Sequence, residues 1–237
     1  MYKMSTPERP IRIFISIFYS FVGFLLAALI IVHHVTKIPF NMFTADPAAS
    51  MQYNSFYGYI SNVGILFWCA TATVCFLSGA VLNIRKDQRE IIHFLVCFGA
   101  LTMVLMFDDL FMFHESIAPW VLHVPEKATL VVYGLYAAFC FARFHKVILT
   151  NDFRYLFIAI AAFGTSVVID QISEKIYFPG EYLFEDGAKF IGIASWLVYF
   201  VDFSYNKMMS VLAVSQIEII RGKRSKRSGN EVLSRLR

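Results

Sequence analysis

The sequence predicts an all-α integral membrane protein, a bundle of six transmembrane helices with both termini in the cytoplasm. Of its 237 residues, 58% are hydrophobic and only 16% are charged, whereas a soluble domain carries about 25% charged residues. Apolar runs of roughly 20 residues, the length that crosses a bilayer as a helix, recur along the chain. Basic residues collect in alternate loops, and this alternation indicates how the helices are oriented.

Six apolar segments are candidate spans. The first follows a basic start and is longer than the apolar core of a signal peptide, about 7–15 residues, so we interpret it as an uncleaved span. Proline, glycine or charged residues mark the breaks between segments. The predicted spans are residues 11–35, 56–82, 91–114, 128–149, 155–176 and 188–209. They predict a six-span domain over residues 1–214 and a basic cytoplasmic tail over residues 215–237.

The distribution of basic residues sets the predicted orientation. With the N-terminus inside, only four of the 21 basic residues fall on the outer side: Lys37, Lys127, Lys175 and Lys189. This asymmetry follows the positive-inside rule and predicts a multi-pass protein of a plasma or inner membrane. The basic tail suits anionic lipid headgroups as partners, although it also serves as an ordinary topology signal. No nucleic-acid partner is expected, and the sequence is compatible with a homo-oligomer.

Two features of the apolar segments indicate structural roles. The four cysteines, Cys69, Cys75, Cys97 and Cys140, lie inside apolar runs and form no CxxC pair. We interpret them as small hydrophobic residues of helix interiors. The spacing from Ala188 to Gly192 fits the small-xxx-small pattern that allows close helix packing.

Acidic residues are distributed oppositely to the basic ones. Ten of the 17 map to the outer side, several of them within predicted spans. A charge at bilayer depth costs at least about 2.5–3.5 kcal/mol, so such groups turn toward the bundle interior and mark functional sites. The third span holds Asp108, Asp109, His114 and Glu115. On a continuous helix Asp108 and Glu115 share one stripe, with Asp109 and His114 on either side.

The last two spans carry further acidic groups toward the same membrane face. Asp170 and Glu174 lie four residues apart on the fifth span, and therefore share a helix face. The sixth follows Glu185-Asp186, and Glu185 precedes Lys189 at the favourable ion-pair spacing of four. Solvated helix ends and a simple Glu185–Lys189 ion pair are the alternative structural explanations.

Two groups on the first helices map to the same depth. His33 ends the first span, and Asn62 follows Ser61 at the start of the second. We expect His33, Asn62 and Lys189 to surround the acidic groups as supporting residues. The sequence therefore predicts one outer-facing site of acidic residues and histidines.

One hypothesis for this site is a metal-dependent membrane hydrolase. Histidine with several carboxylates suits zinc, manganese or iron, and a bound metal activates water for attack on an ester or amide. Glu174 and Asp109 would be the catalytic groups. The predicted metal ligands are Asp108, His114, Glu115, Asp170, Glu185 and Asp186.

The alternative hypothesis is a cation or proton channel or transporter. An acidic vestibule concentrates cations, and rings of Asp or Glu select for them. Asp170 and Lys189 would then be the buried switch. A non-catalytic membrane subunit or binding protein is the third possibility.

Two short motifs resemble known families. Ser61-Asn62 and Asp108-Asp109 resemble residues of alkaline-ceramidase-like membrane hydrolases, but this chain lacks the late HxxxH pair, so the zinc site of that family is not carried over. Glu185 and Lys189 resemble the acid and the retinal-binding lysine of microbial rhodopsins. The six predicted spans and the position of Lys189 near a helix end depart from that family's pattern. Neither resemblance assigns the chain to a family.

Overall fold

The computed structural model describes residues 8–37, 39, 56, 58–83, 88–173, 176 and 180–235. Within these residues the protein is helical and contains no strand, so the all-α prediction is confirmed. The long helices of the described residues are α1 (Glu8–Thr36), α2 (Tyr59–Leu82), α3 (Arg89–Phe111), α4 (Glu126–Leu149), α5 (Arg154–Ser173) and α6 (Glu181–Arg235). A π-helical turn, Phe113–Ile117, and a short helical turn, Ala118–Trp120, lie between α3 and α4.

Four of these helices, α2 to α5, are long and apolar enough to cross a membrane. A helix satisfies its own backbone hydrogen bonds, which is the condition for crossing the hydrocarbon layer. In α1 the apolar stretch Val22–Thr36 is shorter. The first half of α6 carries Lys189, Asp202 and Lys207, which lower its hydrophobicity. The structure therefore supports a membrane protein with four candidate spans among the described residues.

The protein divides into two compact units, one containing α1 and the other containing α2 to α6. In the first unit, the rings of His33 and His34 meet edge to face at the end of α1, with centroids 5.5 Å apart. In the second unit, α6 continues without a break through residue 214 to Arg235. The residues of the predicted tail up to Arg235 therefore extend the sixth helix.

Aromatic side chains fill the core of the second unit between α3 and α6. Phe98 packs against Phe94 and Phe200, with ring centroids 4.8 and 5.5 Å apart. Trp196 packs against Phe200 at 5.3 Å, and its indole N–H donates to Thr102 Oγ1 at 3.0 Å. Ring pairs of this kind stabilise by about 0.5–1.5 kcal/mol beyond their buried area. This core fixes the position of α6 relative to α3.

Two side-chain interactions involve the remaining helices. The Sγ atoms of Cys97 on α3 and Cys140 on α4 lie 2.8 Å apart, and both cysteines are free thiols. These two residues are thus neighbours across a helix interface, which their separate positions in the sequence did not indicate. Asp202 of α6, for which the sequence suggests no partner, interacts electrostatically with Arg154 at the start of α5.

Candidate functional site

A cavity of about 320 Å³ lies at the end of the bundle where α3 and α5 finish and where α4 and α6 begin. Because consecutive helices run in opposite directions, residues far apart in sequence meet at this end. Its lining residues recur at spacings of three or four along α4, α5 and α6, which places each set on one helix face. Six carboxylates line the cavity: Asp108, Asp109, Glu115, Glu126, Asp170 and Glu185.

The end of α3 creates the first half of the site. The helix stops at Phe111 because Met112 adopts the left-handed conformation, with φ of 49°, and the π-helical turn follows. The prediction of one continuous helix through His114 is therefore wrong. A left-handed non-glycine residue costs roughly 1–2 kcal/mol. The reversal carries His114 back toward Asp108, and the hydrogen bonds that result offset this cost.

Asp108 is held by three hydrogen bonds. The backbone N–H of His114 and the hydroxyl of Tyr133 both donate to its Oδ1 at 2.9 Å. The ring Nδ1 of His114 contacts its Oδ2. His114 lies beyond the end of the α3 span, and its hydrogen bond with Asp108 raises the pKa of this imidazole. The other ring nitrogen, Nε2, lies 3.6 Å from Glu115 Oε1.

Asp109 forms the second fixed group. Its Oδ2 accepts a hydrogen bond from the indole N–H of Trp68 at 2.8 Å. Its Oδ1 accepts one from Lys189 Nζ at 2.7 Å. The Asp109 side chain is 12% exposed and that of Lys189 is 43% exposed, so the lysine still faces the cavity. Lys189 is thus paired with Asp109 on another helix, not with Glu185 as its spacing in α6 suggested.

The other carboxylates leave the cavity with excess negative charge. Asp170 accepts a hydrogen bond from the Gln171 amide at 3.2 Å. Burial, together with the neighbouring charge of Asp170, raises the pKa of Glu185. Glu181 lies one turn before Glu185 and is buried, and its Oε2 has no hydrogen-bond partner among the described residues. The positive groups that line the cavity are Lys189 and, when protonated, His114.

The structure brings together most, but not all, of the residues that the sequence singled out. Asp186 and Asn62 are exposed and do not line the cavity. His33 belongs to the unit that contains α1. Glu174 lies outside the described residues. The predicted site residues that do line the cavity are Asp108, Asp109, His114, Glu115, Asp170, Glu185 and Lys189.

Four lining residues that carry a carboxylate or an aromatic ring were not recognised as site residues from the sequence: Trp68, Glu126, Tyr133 and Phe163. Glu126 and Tyr133 are seven residues apart and share a face of α4, which is the signal that was available. Trp68 resembled an ordinary aromatic residue of a span. Its indole N–H takes part in the site because it donates to Asp109, which lies opposite on α3.

The predicted metal needs a group of side chains that could serve as its ligands. Among the described residues, no three His, Cys, Asp or Glu side chains form a group that could hold a metal ion. Protein donors also occupy oxygens of Asp108 and Asp109. Zinc, manganese or iron at this site therefore stays a prediction.

Comparison with known proteins identifies the family. No curated protein and no solved structure matches this chain. Residues 21–203 match the family described as "Domain of unknown function (DUF8692)". The match covers well over half of the 237 residues. The chain therefore belongs to the DUF8692 family.

Proposed function

We propose that this protein is a multi-pass membrane protein that binds a cation in its acidic cavity. The observation that carries this proposal is the lining of one 320 Å³ cavity by six carboxylates against one lysine and one histidine. Like charges held together away from bulk water raise the energy of the ionised state unless a cation or protons compensate them. Asp108 and Asp109 are already paired and Glu115 lies 3.6 Å from His114 Nε2, so Asp170, Glu185 and Glu126 are the groups available to a ligand.

A binding site fits the geometry better than a permanently open pore. Next to the cavity, the rings of Trp68 and Phe163 stack with centroids 5.8 Å apart. Phe163 also packs against Trp196 at 6.3 Å. These stacked rings lie between the acidic residues of the cavity and the aromatic core around Trp196, so transport of a cation through that core requires them to move. Cation binding is thus the first step of the transport hypothesis.

The metal-dependent hydrolase has weaker support. In its favour, Asp108 orients His114 through Nδ1 and leaves Nε2 near Glu115, the arrangement found for many metal-binding histidines. Against it, Asp109, one of the two predicted catalytic groups, is held by Lys189 and Trp68. A charge-compensated aspartate is a poor acceptor for a proton from water.

The proposed topology adds residues 11–35 of α1 and residues 188–209 of α6 to the four candidate spans. In α6, Trp196, Tyr199 and Phe200 are buried among helices that are apolar enough to cross a membrane. A helix enclosed in this way tolerates charges that lipid would not. With both termini in the cytoplasm of a plasma-membrane protein, the cavity faces outward. The basic end of α6 then meets anionic headgroups of the inner leaflet.

Thermal unfolding of the full-length protein in detergent tests the proposal. Mg²⁺, Zn²⁺ and ethylammonium are each titrated at constant ionic strength. A cation that occupies the cavity stabilises the folded state by about 2.7 kcal/mol at a concentration 100 times its Kd. We expect a saturable rise in Tm for at least one of these cations.

The matched variant is Asp170→Asn combined with Glu185→Gln, because neither side chain forms an ion pair within the described residues. This variant should lose the saturable rise. Asp152→Asn is the control, since Asp152 is an exposed carboxylate between α4 and α5 that pairs with Arg154. If no cation stabilises the parent more than the double variant, the proposal is wrong. Stabilisation by Zn²⁺ alone, abolished by His114→Ala, would favour the hydrolase instead.

A further inference from the structure

A second cavity of about 400 Å³ adjoins the acidic one. It lies between α4 and α5, and all of its lining residues are apolar. The acidic cavity and this apolar chamber share three lining residues, Leu105, Phe163 and Val167. A ligand that occupies both would therefore meet carboxylates at one end and hydrocarbon at the other.

The apolar chamber lies in a cleft that faces lipid. α4 packs mainly against α3, and α5 packs mainly against α6, which leaves a cleft between α4 and α5. Both helices are candidate membrane spans. On α5, Ile160 and Val167 line the chamber and are 45% and 62% exposed. A hydrocarbon chain in the bilayer therefore has a lateral route into the chamber.

The two cavities together define the chemistry of the occupant. A hydrated inorganic ion gains nothing from an apolar chamber, whereas an alkyl chain does because its burial removes apolar surface from water. An ammonium group donates up to three hydrogen bonds, which matches carboxylates approaching from α5 and α6. Trp68 and Phe163 also line the acidic cavity, and an aromatic ring attracts a cation that approaches its face.

We propose that the ligand is an amphiphilic amine, with one ammonium head and one hydrocarbon chain. The head binds between Asp170 and Glu185, and the chain occupies the apolar chamber between α4 and α5. Glu181 is buried one turn from Glu185, its Oε2 has no hydrogen-bond partner within the described part of the chain, and its negative charge acts on Glu185. This inference rests on the proposed cation binding and names the class of cation.

The test measures the binding of n-alkylammonium ions to the full-length protein in nanodiscs. Ethyl-, butyl-, hexyl- and octylammonium are compared by calorimetry with n-alkanols of the same length. Affinity for the amines should rise about fourfold for each added methylene, the factor that burial of one CH₂ supplies. The alkanols should bind more weakly at every length because they lack the charge.

The variant Gly164→Leu distinguishes binding of the hydrocarbon chain in the apolar chamber from partition of the amine into lipid. A Cβ at Gly164 meets no atom within 4 Å, and this residue lines the chamber, so a leucine side chain can fill it. The variant should bind ethylammonium as the parent does and should lose the increase with chain length. Gly134→Leu is the matched control: its Cβ also meets open space, but Gly134 lines neither cavity. It should behave as the parent does.

Each failure has a different meaning. If ethylammonium binds but Gly164→Leu keeps the same dependence on chain length as the parent, the chain does not occupy the chamber and the inference is wrong. If no amine of any length binds, the proposed function itself fails. If alkanols bind as tightly as amines, the head does not bind at the carboxylates.

Discussion

Lys189 and Asp109 set the charge balance of the cavity at the level of single residues. They are 80 positions apart in the chain, yet Nζ and Oδ1 lie 2.7 Å apart. Trp68 holds the other oxygen of Asp109, so the carboxylate is fixed by α2 and α6 together. Removing one member of such a pair leaves the other charge poorly compensated, which costs more than removing both.

We therefore expect Lys189→Met to destabilise the protein through its partner. Asp109 is only 12% exposed and would keep an uncompensated charge. The free energy of unfolding should fall by about 1–3 kcal/mol, the cost of an unsatisfied buried group. Combining Lys189→Met with Asp109→Asn should restore part of the loss. Thermal unfolding in detergent measures both. A single variant as stable as the parent would contradict the pairing.

The raised pKa of Glu185 predicts how cation binding depends on pH. Burial raises the pKa of Glu185, and the charges of Asp170, Asp186 and Glu181 act in the same direction, while Lys189 opposes them. The pKa of Glu185 is therefore higher in the folded protein without a cation than in the unfolded chain. Protonated Glu185 stabilises the folded state at low pH, and this stabilisation is lost as the pH rises through the folded-state pKa. A cation needs the ionised carboxylate, so its affinity should weaken as pH falls through a window above 4.5, the ordinary value.

Glu185→Gln should flatten this pH profile, because glutamine does not titrate. Calorimetric titration of ethylammonium at a series of pH values gives the measurement. The control is Asp186→Asn, which removes an exposed carboxylate outside the cavity and should leave most of the profile unchanged. Identical profiles for the parent and Glu185→Gln would show that Glu185 does not face the cation.

At the level of elements, apolar runs predicted α2 to α5 well because bilayer thickness sets their length. The predicted segment 56–82 corresponds to the helix Tyr59–Leu82, and the predicted segment 128–149 corresponds to the helix Glu126–Leu149. The end of α3 was not predictable in this way. It depends on Met112 adopting a left-handed backbone so that His114 reaches Asp108, which is a tertiary contact with no apolar signal. The basic end of α6 is also helical, although its sequence is polar.

Gly192 tests the predicted close packing of α6. A Cβ at this position would lie 2.6 Å from Cε1 of Phe163, a ring that lines both cavities. Gly192→Ala should therefore displace the ring and lower the free energy of unfolding by about 1–3 kcal/mol. Gly187→Ala is the control on the same helix, because its Cβ meets no atom within 4 Å. Equal Tm values for the two variants would argue against close packing here.

At the scale of the whole molecule, the sequence predicted that acidic residues converge, but not how they are paired. Asp108, Asp170 and Glu185 do line one cavity, because charges on antiparallel helices turn away from lipid at the same end. The hydrogen bonds of Asp108 with Tyr133 and of Asp109 with Trp68 depend on how the helices are rotated against one another. Spacing along a single helix carries no information about that rotation.

The proposed topology makes a separate prediction. Reporter fusions after Lys86 and Lys146 should be cytoplasmic, and fusions after Asp46 and Pro179 should be external. The physical reason is that loops rich in lysine and arginine stay on the cytoplasmic side. In the proposed topology only four of the 21 basic residues lie outside. One loop with the opposite location would mean that α1 or α6 does not span the membrane as proposed.

The central claim is that the acidic cavity binds a cation, and calorimetric titration with hexylammonium tests it most directly. The parent protein in nanodiscs should bind one equivalent per chain, and hexanol should bind more weakly. Neutralising Asp170 and Glu185 together should weaken binding at least about tenfold, since a hydrogen bond to a charged group contributes about 1.5–3 kcal/mol. Equal affinity of the parent and this double variant for hexylammonium would contradict the claim.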